Sequence, residues 1–339
     1  PSTFARFRDQ HRLNKILRLR GGVLQAAADV VSPKSILSFL MGSAGPGRAL
    51  KTSVLSAADS KVNKAAVHIA GPVARLVNAL GGDFRWQHLP VPFEVYADGI
   101  DLVVFEELHA GAAAMHLKDE IARNELLSQE EYRRRFRKEY ENKLARRIWQ
   151  RDFFDAQIVG CPDATVVGQS FGQVAVARGV HPVDAFLDLV IEYGSALRWR
   201  TTILNHRPPY LRKLANERGI QMGFSDAGAH LRNMAFYNSG LRLLRHVHQQ
   251  EQAGQPFMSL EQAVHRMTGE LGAWFGLDAG TLREGDRADL AIIDPAGLDS
   301  TLDEYAEAPV PQFGGMARMV NRNDAAVQAV FVGGRRVIA

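Results

Sequence analysis

The stretch best suited to chemistry is GFSDAGAHLRNMAFYN, residues 223–238. An apolar run, IQMGFSD (220–226), ends in Ser225-Asp226. A turn of small residues, Ala227-Gly228-Ala229, then leads to His230. In parallel α/β folds the reactive groups gather at the carboxyl ends of the strands. A carboxylate there can bind a metal or take a proton from water. An Asp at such a turn can equally cap the next helix, so spacing alone leaves both roles open for Asp226. His230 can stabilise an oxyanion or hold a substrate, or it can cap the helix that follows. Asn205, His206 and Arg207 close another apolar run, RTTILNH (200–206). They can orient a substrate carboxylate or amide, with Arg207 as a two-pronged anion clamp. The alternative is a polar turn ahead of Pro208-Pro209.

Other polar residues carry weaker signals. Arg85, Trp86, Gln87 and His88 lie at a further strand end, where Trp86 reads as core or pocket wall. His246-Val247-His248 is the sole His-x-His, but it sits in LRLLRHVHQQEQ. On a helix, residues two apart point about 200° away from each other, so this pair cannot share a metal. His68, His109, His116, His181 and His265 have no partner at telling spacing and read as structural. GSAGPG (42–47) lacks the Lys-Ser/Thr of a phosphate-binding loop, and no G-x-S-x-G elbow is present.

The elements that must position these residues alternate. GGVLQAAAD (21–29), LKTSVLSA (50–57), DFRWQHL (83–89), RTTILNH and IQMGFSD read as buried strands. VNKAAVHIAGPVARLVNAL (62–80) and PPYLRKLANERG (208–219) read as helices between them. Strands alternating with helices predict a parallel α/β architecture. In the unit 200–226 a Pro opens the helix and Gly219 stops it. Residues 90–160 break this rhythm and read as an insertion, and HPVDAFLDLVIEYG after it is an amphipathic helix closed by Gly194. From Gly285 the chain turns to short strands, and Gly333-Gly334 between VQAVFV and RRVIA signals a hairpin.

The 339 residues are 46% apolar and 23% charged, the profile of a globular protein rather than a disordered chain. No run approaches about 18 consecutive apolar residues, so a membrane span is not expected. Cys161 alone can form neither an internal disulfide nor a multi-thiolate zinc site. The first residues, PSTFARFRDQHRLNK, lack a signal-peptide core, and a cytoplasmic protein is expected. Net charge is +4, and the densest basic run is 131–151, with nine basic and three acidic residues. There Phe136, Tyr140, Leu144 and Ile148 recur every four residues. That spacing predicts a solvated helix with one apolar stripe rather than a nucleic-acid site.

GFSDAGAH, together with TGELGAWFGLDAGTLREGDRADLAIID, resembles the carboxyl half of an amidohydrolase, nearest to the N-acyl-D-amino-acid deacylase (D-aminoacylase-like) family. TTILNHRPPYLRKLANERGIQMGFSD resembles that family's next-to-last strand, helix and last strand. LREGDRADLAIIDP and AVFVGGRRVIA resemble the return into its small β-sandwich and the closing hairpin. The resemblance is specific from about residue 155 to 339 and only suggestive from 20 to 150. It implies part of a (β/α)8 barrel over 1–284, with the insertion at about 90–160, and a β-sandwich portion over 285–339. It further implies zinc-dependent cleavage of the C–N bond of an N-acyl amino acid, with Asp226 as acid/base and His230, Asn205, His206 and Arg207 on the substrate. The family's metal-binding histidines have no counterpart here, because the strands ending at Asp29 and at Asp59-Ser60 carry none. The chain therefore reads as a carboxyl-terminal portion. Its expected partner is an amino-terminal half-barrel or a second copy, with neither nucleic acid nor membrane. A metal-free subunit with a role in assembly is the competing expectation.

Overall fold

The computed structural model describes residues 7–27, 42–44, 49–145, 147–223, 230–321 and 323–338. In chain order, helix α1 (Phe7–Arg20) leads to strands β1 (Val23–Ala27) and β2 (Lys51–Leu55), helix α2 (Ala66–Ala79) and strand β3 (Asp83–His88). Next come β4 (Phe93–Asp98), α3 (His109–His116), α4 (Glu120–Ser128), α5 (Glu130–Glu141), β5 (Ala156–Gly160), α6 (Phe171–Arg178), α7 (Pro182–Tyr193) and β6 (Arg198–Leu204). The chain continues with α8 (Pro208–Asn216), β7 (Ile220–Met222), α9 (Ser239–Gln252), α10 (Leu260–Met267) and α11 (Gly269–Phe275). Five strands close it: β8 (Leu290–Ile293), β9 (Ala306–Val310), β10 (Met316–Val320), β11 (Val327–Val332) and β12 (Arg335–Ile338).

β1, β2, β3 and β7 form a parallel sheet in that order. Strict alternation gives the sheet two unlike faces. Leu24, Ala26, Val54, Phe84, Trp86, Ile220 and Met222 share one face and are buried in one core with Val67, Ala70, Ala74 and Val77 of α2 and Leu214 of α8. The Trp86 indole N–H donates to the Ala70 carbonyl at 2.9 Å, so its one polar atom is satisfied inside that layer. Gly219, at φ +82°, turns the chain into β7, and a Cβ there would come within 2.8 Å of the Ala74 Cβ. Only glycine suits both the left-handed backbone and the close approach to α2. The opposite face carries Ser53, Gln87 and Gln221, all buried, with both amides donating to the Ser53 hydroxyl at 2.9 and 2.6 Å.

The sequence pattern read 200–226 as one strand–helix–strand unit of a parallel architecture, but the neighbour of β7 is β3. β6, which holds RTTIL, pairs antiparallel with β4 and β5 in a separate sheet, order β4-β6-β5. Periodicity identifies a strand but says nothing about its partner, and 89 to 204 has an aromatic core of its own to anchor β6. Phe105, Trp149, Phe153, Phe171, Phe186 and Trp199 are all fully buried there. The Phe153–Phe186 and Phe171–Phe186 ring centroids are 4.7 and 5.0 Å apart.

The apolar stripe expected through Ile148 stops at Tyr140. α5 ends at Glu141, where the Asn142 side chain accepts from the Leu144 and Ala145 amides at 3.1 and 3.2 Å. Such local bonds compete with helix continuation. The buried Arg151 donates to the terminal carbonyls of Glu139 and Asn142 at 2.8 and 3.3 Å. Leu144 is consequently 98% exposed, and Trp149 enters the core in its place.

The terminal strands form a β12-β11-β8 sheet and a β9-β10 hairpin, all antiparallel. Gly333 and Gly334 make the expected two-residue turn between β11 and β12, with φ +56° and +78°. No described helix is long and apolar enough to cross a membrane.

Candidate active site

The carboxyl ends of three parallel strands lie together. The Ala57 amide, just past β2, donates to the Gln87 carbonyl at 2.8 Å, and the Gly223 amide, just past β7, donates to the His88 carbonyl at 2.9 Å. Two residues beyond Ala57 the chain reaches Asp59, whose side chain is wholly buried.

Asn205 fastens this point to the end of β6. Its side-chain oxygen accepts from the Asp59 amide at 2.9 Å, its own amide donates to the Asp59 carbonyl at 2.7 Å, and its Nδ2 donates to the Leu89 carbonyl at 2.9 Å. Asn205 is left-handed, at φ +60°, a conformation Asn tolerates better than other side chains. The turn it makes delivers His206 and Arg207 to Asp59. Arg207 donates to the Asp59 carboxylate through its amide at 3.2 Å, through Nε at 3.0 Å and through Nη2. A buried carboxylate is costly unless paired, and this one is paired on both oxygens. The guanidinium also lies 4.1 Å from the centre of the Tyr210 ring, a cation–π contact that holds it flat. The hydrogen bond to Asp59 pushes the Arg207 pKa up.

His206 Nδ1 stands 3.3 Å from Asp59 Oδ2. Burial lowers the His206 pKa, with Lys61 and Arg207 adding to the shift and Asp59 and Asp155 opposing it. His88, at the end of β3, is fully buried, with Nδ1 2.9 Å from the Ala57 carbonyl. Desolvation holds its pKa down at about 4.

The structure thus gathers Asn205, His206 and Arg207 around Asp59, a residue the sequence marked only as a strand end. Asp226 lies outside the described residues. His230 opens a helical turn, its carbonyl accepting from Asn233 and Met234 at 3.0 and 3.1 Å. That turn is fixed to β4: Asn233 Nδ2 donates to the Tyr96 carbonyl at 2.8 Å, and Arg232 holds Asp98 at 2.8 Å. The basic residues of α5 meet carboxylates, among them Arg133 with Asp188 at 2.7 Å and Arg137 with Asp184 at 2.6 Å. His246 and His248 do lie on a helix, where one ring packs near Phe257 and the other contacts Gln252.

Among the described residues no three His, Cys, Asp or Glu side chains come together as a metal site would require. Asp59 is committed to Arg207, and His88 is used within the core. The residues described therefore do not fit a metal centre on their own.

No protein-family profile matches the chain. An uncharacterized protein of Mycobacterium tuberculosis is 55% identical over 340 aligned residues, covering 98% of this chain and 56% of the relative. The chain thus spans little more than half the length of this relative. An N-acyl-D-aspartate deacylase of Alcaligenes xylosoxydans xylosoxydans is 38% identical over 84 residues, 24% of this chain and 14% of that protein. Two solved structures align with nearly the whole chain. An N-acyl-D-glutamate deacylase from Bordetella bronchiseptica, in complex with zinc and a phosphonate inhibitor, gives a TM-score of 0.53 at 15% identity over 100% of this chain and 57% of that one. A D-aminoacylase described as defining a novel subset of amidohydrolases gives 0.51 at 17% identity, over 97% and 56%. The resemblance read from the sequence is thereby met in three dimensions, and the chain has the fold of the D-aminoacylase-like amidohydrolases, with a coverage that fits their carboxyl-terminal portion.

Proposed function

We propose that the protein to which this chain belongs hydrolyses the amide C–N bond of an N-acyl amino acid. One observation supports this above the others. Four parallel strands, β1, β2, β3 and β7, lie side by side in the order in which the chain reaches them, an arrangement compatible with part of a (β/α)8 barrel, and the buried Asp59 cluster stands beyond the carboxyl ends of β2 and β3. That is the end where barrel enzymes place their chemistry. In this reading Asp226 takes a proton from water as its oxygen attacks the carbonyl carbon. The C–N bond then breaks, and the same proton passes to the departing nitrogen, leaving an amine and a carboxylic acid whose own proton, the second from the water, then passes to that amine, so that the products are a carboxylate and an ammonium. His230, Asn205, His206 and Arg207 hold the substrate.

Zinc is present in the N-acyl-D-glutamate deacylase of like fold. Here any such ion would need ligands beyond the described residues. We place residues 1–284 with the barrel, 285–339 with the small sandwich, and the protein in the cytoplasm. Among the described residues β1 and β7 are the outer strands of the parallel sheet, and we assign the strands that would pair with them to an amino-terminal half-barrel or a second copy. A catalytically inactive, assembly-only subunit is the competing reading, favoured by the lack of a metal-ligand cluster among the described residues.

The test is hydrolysis of N-acetyl-D- and N-acetyl-L-amino acids by this chain, alone and co-expressed with the remainder of a full-length relative, with zinc quantified in each sample. Turnover in the reconstituted protein that Asp226→Asn lowers by at least a thousandfold, the fold unchanged by circular dichroism, is the expected outcome. Turnover unchanged by that substitution removes Asp226 from its role. No turnover and no metal in any preparation leaves the assembly subunit.

A further inference from the structure

The contact between His206 and Asp59 fixes more than a position. His206 Nδ1 is buried, lies 3.3 Å from Asp59 Oδ2, and makes no well-aligned hydrogen bond. If Nδ1 were unprotonated, its lone pair would face a carboxylate oxygen across that gap. Two acceptors in a dry contact repel, whereas a proton on Nδ1 is attracted to the carboxylate. In the neutral ring the other nitrogen, Nε2, is then an acceptor. The side chain is 29% exposed, so the ring reaches solvent on the side away from its buried nitrogen.

Arg207 stands next in the chain with the opposite character. Asp59 takes its Nε and Nη2, and these bonds leave Nη1. The turn therefore offers a neutral acceptor beside a cationic donor. An N-acylated amino acid carries the complementary pair, an amide N–H and a carboxylate on adjoining atoms.

We infer that His206 is a specificity-determining residue that accepts the amide N–H of an N-acyl amino acid through Nε2, in a tautomer set by Asp59. The ligand class rests on the function proposed above, while the tautomer rests on the structure alone. The charged groups facing the ring are Asp59 and Lys61 beyond β2, Asp155 ahead of β5, and Arg207 on its own turn. Burial lowers the His206 pKa, Lys61 and Arg207 add to this while Asp59 and Asp155 oppose it, and the ring left neutral at pH 7 suits an acceptor.

The experiment uses this chain labelled with 15N-histidine and long-range 1H–15N correlation spectra. The His206→Gln variant assigns the signal. A pyrrole-type Nδ1 and a pyridine-type Nε2 at pH 7 are expected, with an acid titration below the ordinary histidine range. An Nε2–H tautomer overturns the proposal. N-acetylglycine should move the Nε2 resonance, and O-acetylglycolate, the ester that lacks the N–H, should leave it in place. Equal shifts from both, or none from either, overturn the assignment of the amide N–H. Asp59→Asn should lower the His206 pKa further and mix the tautomers. If that variant fails to fold, Asp59→Glu, which keeps the charge, should retain the Nδ1–H form. None of these readouts needs turnover, so a failed hydrolysis assay and a failed tautomer prediction are separate results.

Discussion

His88 illustrates what burial does to a single titratable group. Its ring is enclosed at the end of β3, and Nδ1 lies against the Ala57 carbonyl. Desolvation, its largest influence, lowers the pKa from 6.5 to about 4. Between those two values the unfolded chain binds a proton that the folded chain refuses, so stability rises with pH across that window and is lost as pH falls through it. A shift of this size corresponds to roughly 3 kcal/mol. Urea unfolding of the chain at pH 7, 5.5 and 4.5 should show this loss, and His88→Asn should flatten the pH slope. An unchanged slope in the variant would assign the acid sensitivity elsewhere. His88 stood out in the sequence as a polar residue at a strand end. Its enclosure came from residues far away in the chain, Ala57 and the α8 layer.

At the scale of elements, the segment between β3 and β7 holds together through its aromatic core. Phe186 of α7 touches Phe105, Phe153, Phe171 and Trp199, with ring centroids 4.7 to 5.9 Å away. Phe186→Ala would remove one ring from four partners and leave a cavity, at a cost of about 3–5 kcal/mol. Chemical denaturation read by tryptophan fluorescence checks this, since Trp149 and Trp199 lie in that core and Trp86 in the other. A loss below about 1 kcal/mol would mean the core repacks around the gap. Helix α7 of this segment was legible because its apolar periodicity is closed by its own stop, Gly194. The end of α5 was not, because Asn142 and Arg151 terminate it through bonds that a four-residue spacing does not encode.

Across the whole molecule, charge and ring stacking fasten the terminal strands to the antiparallel sheet. Asp98 of β4 binds Arg198 of β6 at 3.0 Å and Arg232 at 2.8 Å, and Arg232 also reaches Glu307 of β9 at 2.8 Å. Tyr96 and Tyr305 stack at 5.0 Å with the Arg198 guanidinium against both. These contacts join the antiparallel sheet, the turn carrying His230 and the terminal strands. Among the described residues the parallel sheet ends in two short outer strands, β1 of five residues and β7 of three, and an open sheet edge invites a partner. The native mass of the purified chain should therefore exceed that of one copy, through self-association or a captured amino-terminal half. A stable monomer by native mass spectrometry at micromolar concentration would show that the edges are protected within the chain.

Local physics determined a good deal of this protein from sequence alone. Short apolar runs bounded by Gly, Pro, Asp or Asn marked the strands that the fold places at 23–27, 51–55, 83–88 and 220–222, and Pro, Gly and Gly-Gly placed helix ends and the last hairpin. Those are effects between residues a few positions apart, so they are readable without a fold. Only the tertiary structure decided that β3 rather than β6 lies beside β7, and that Asn205, His206 and Arg207 close on Asp59, nearly 150 residues earlier. Strand partners and buried ion pairs are chosen by burial and desolvation across the folded chain, and no local spacing records that choice.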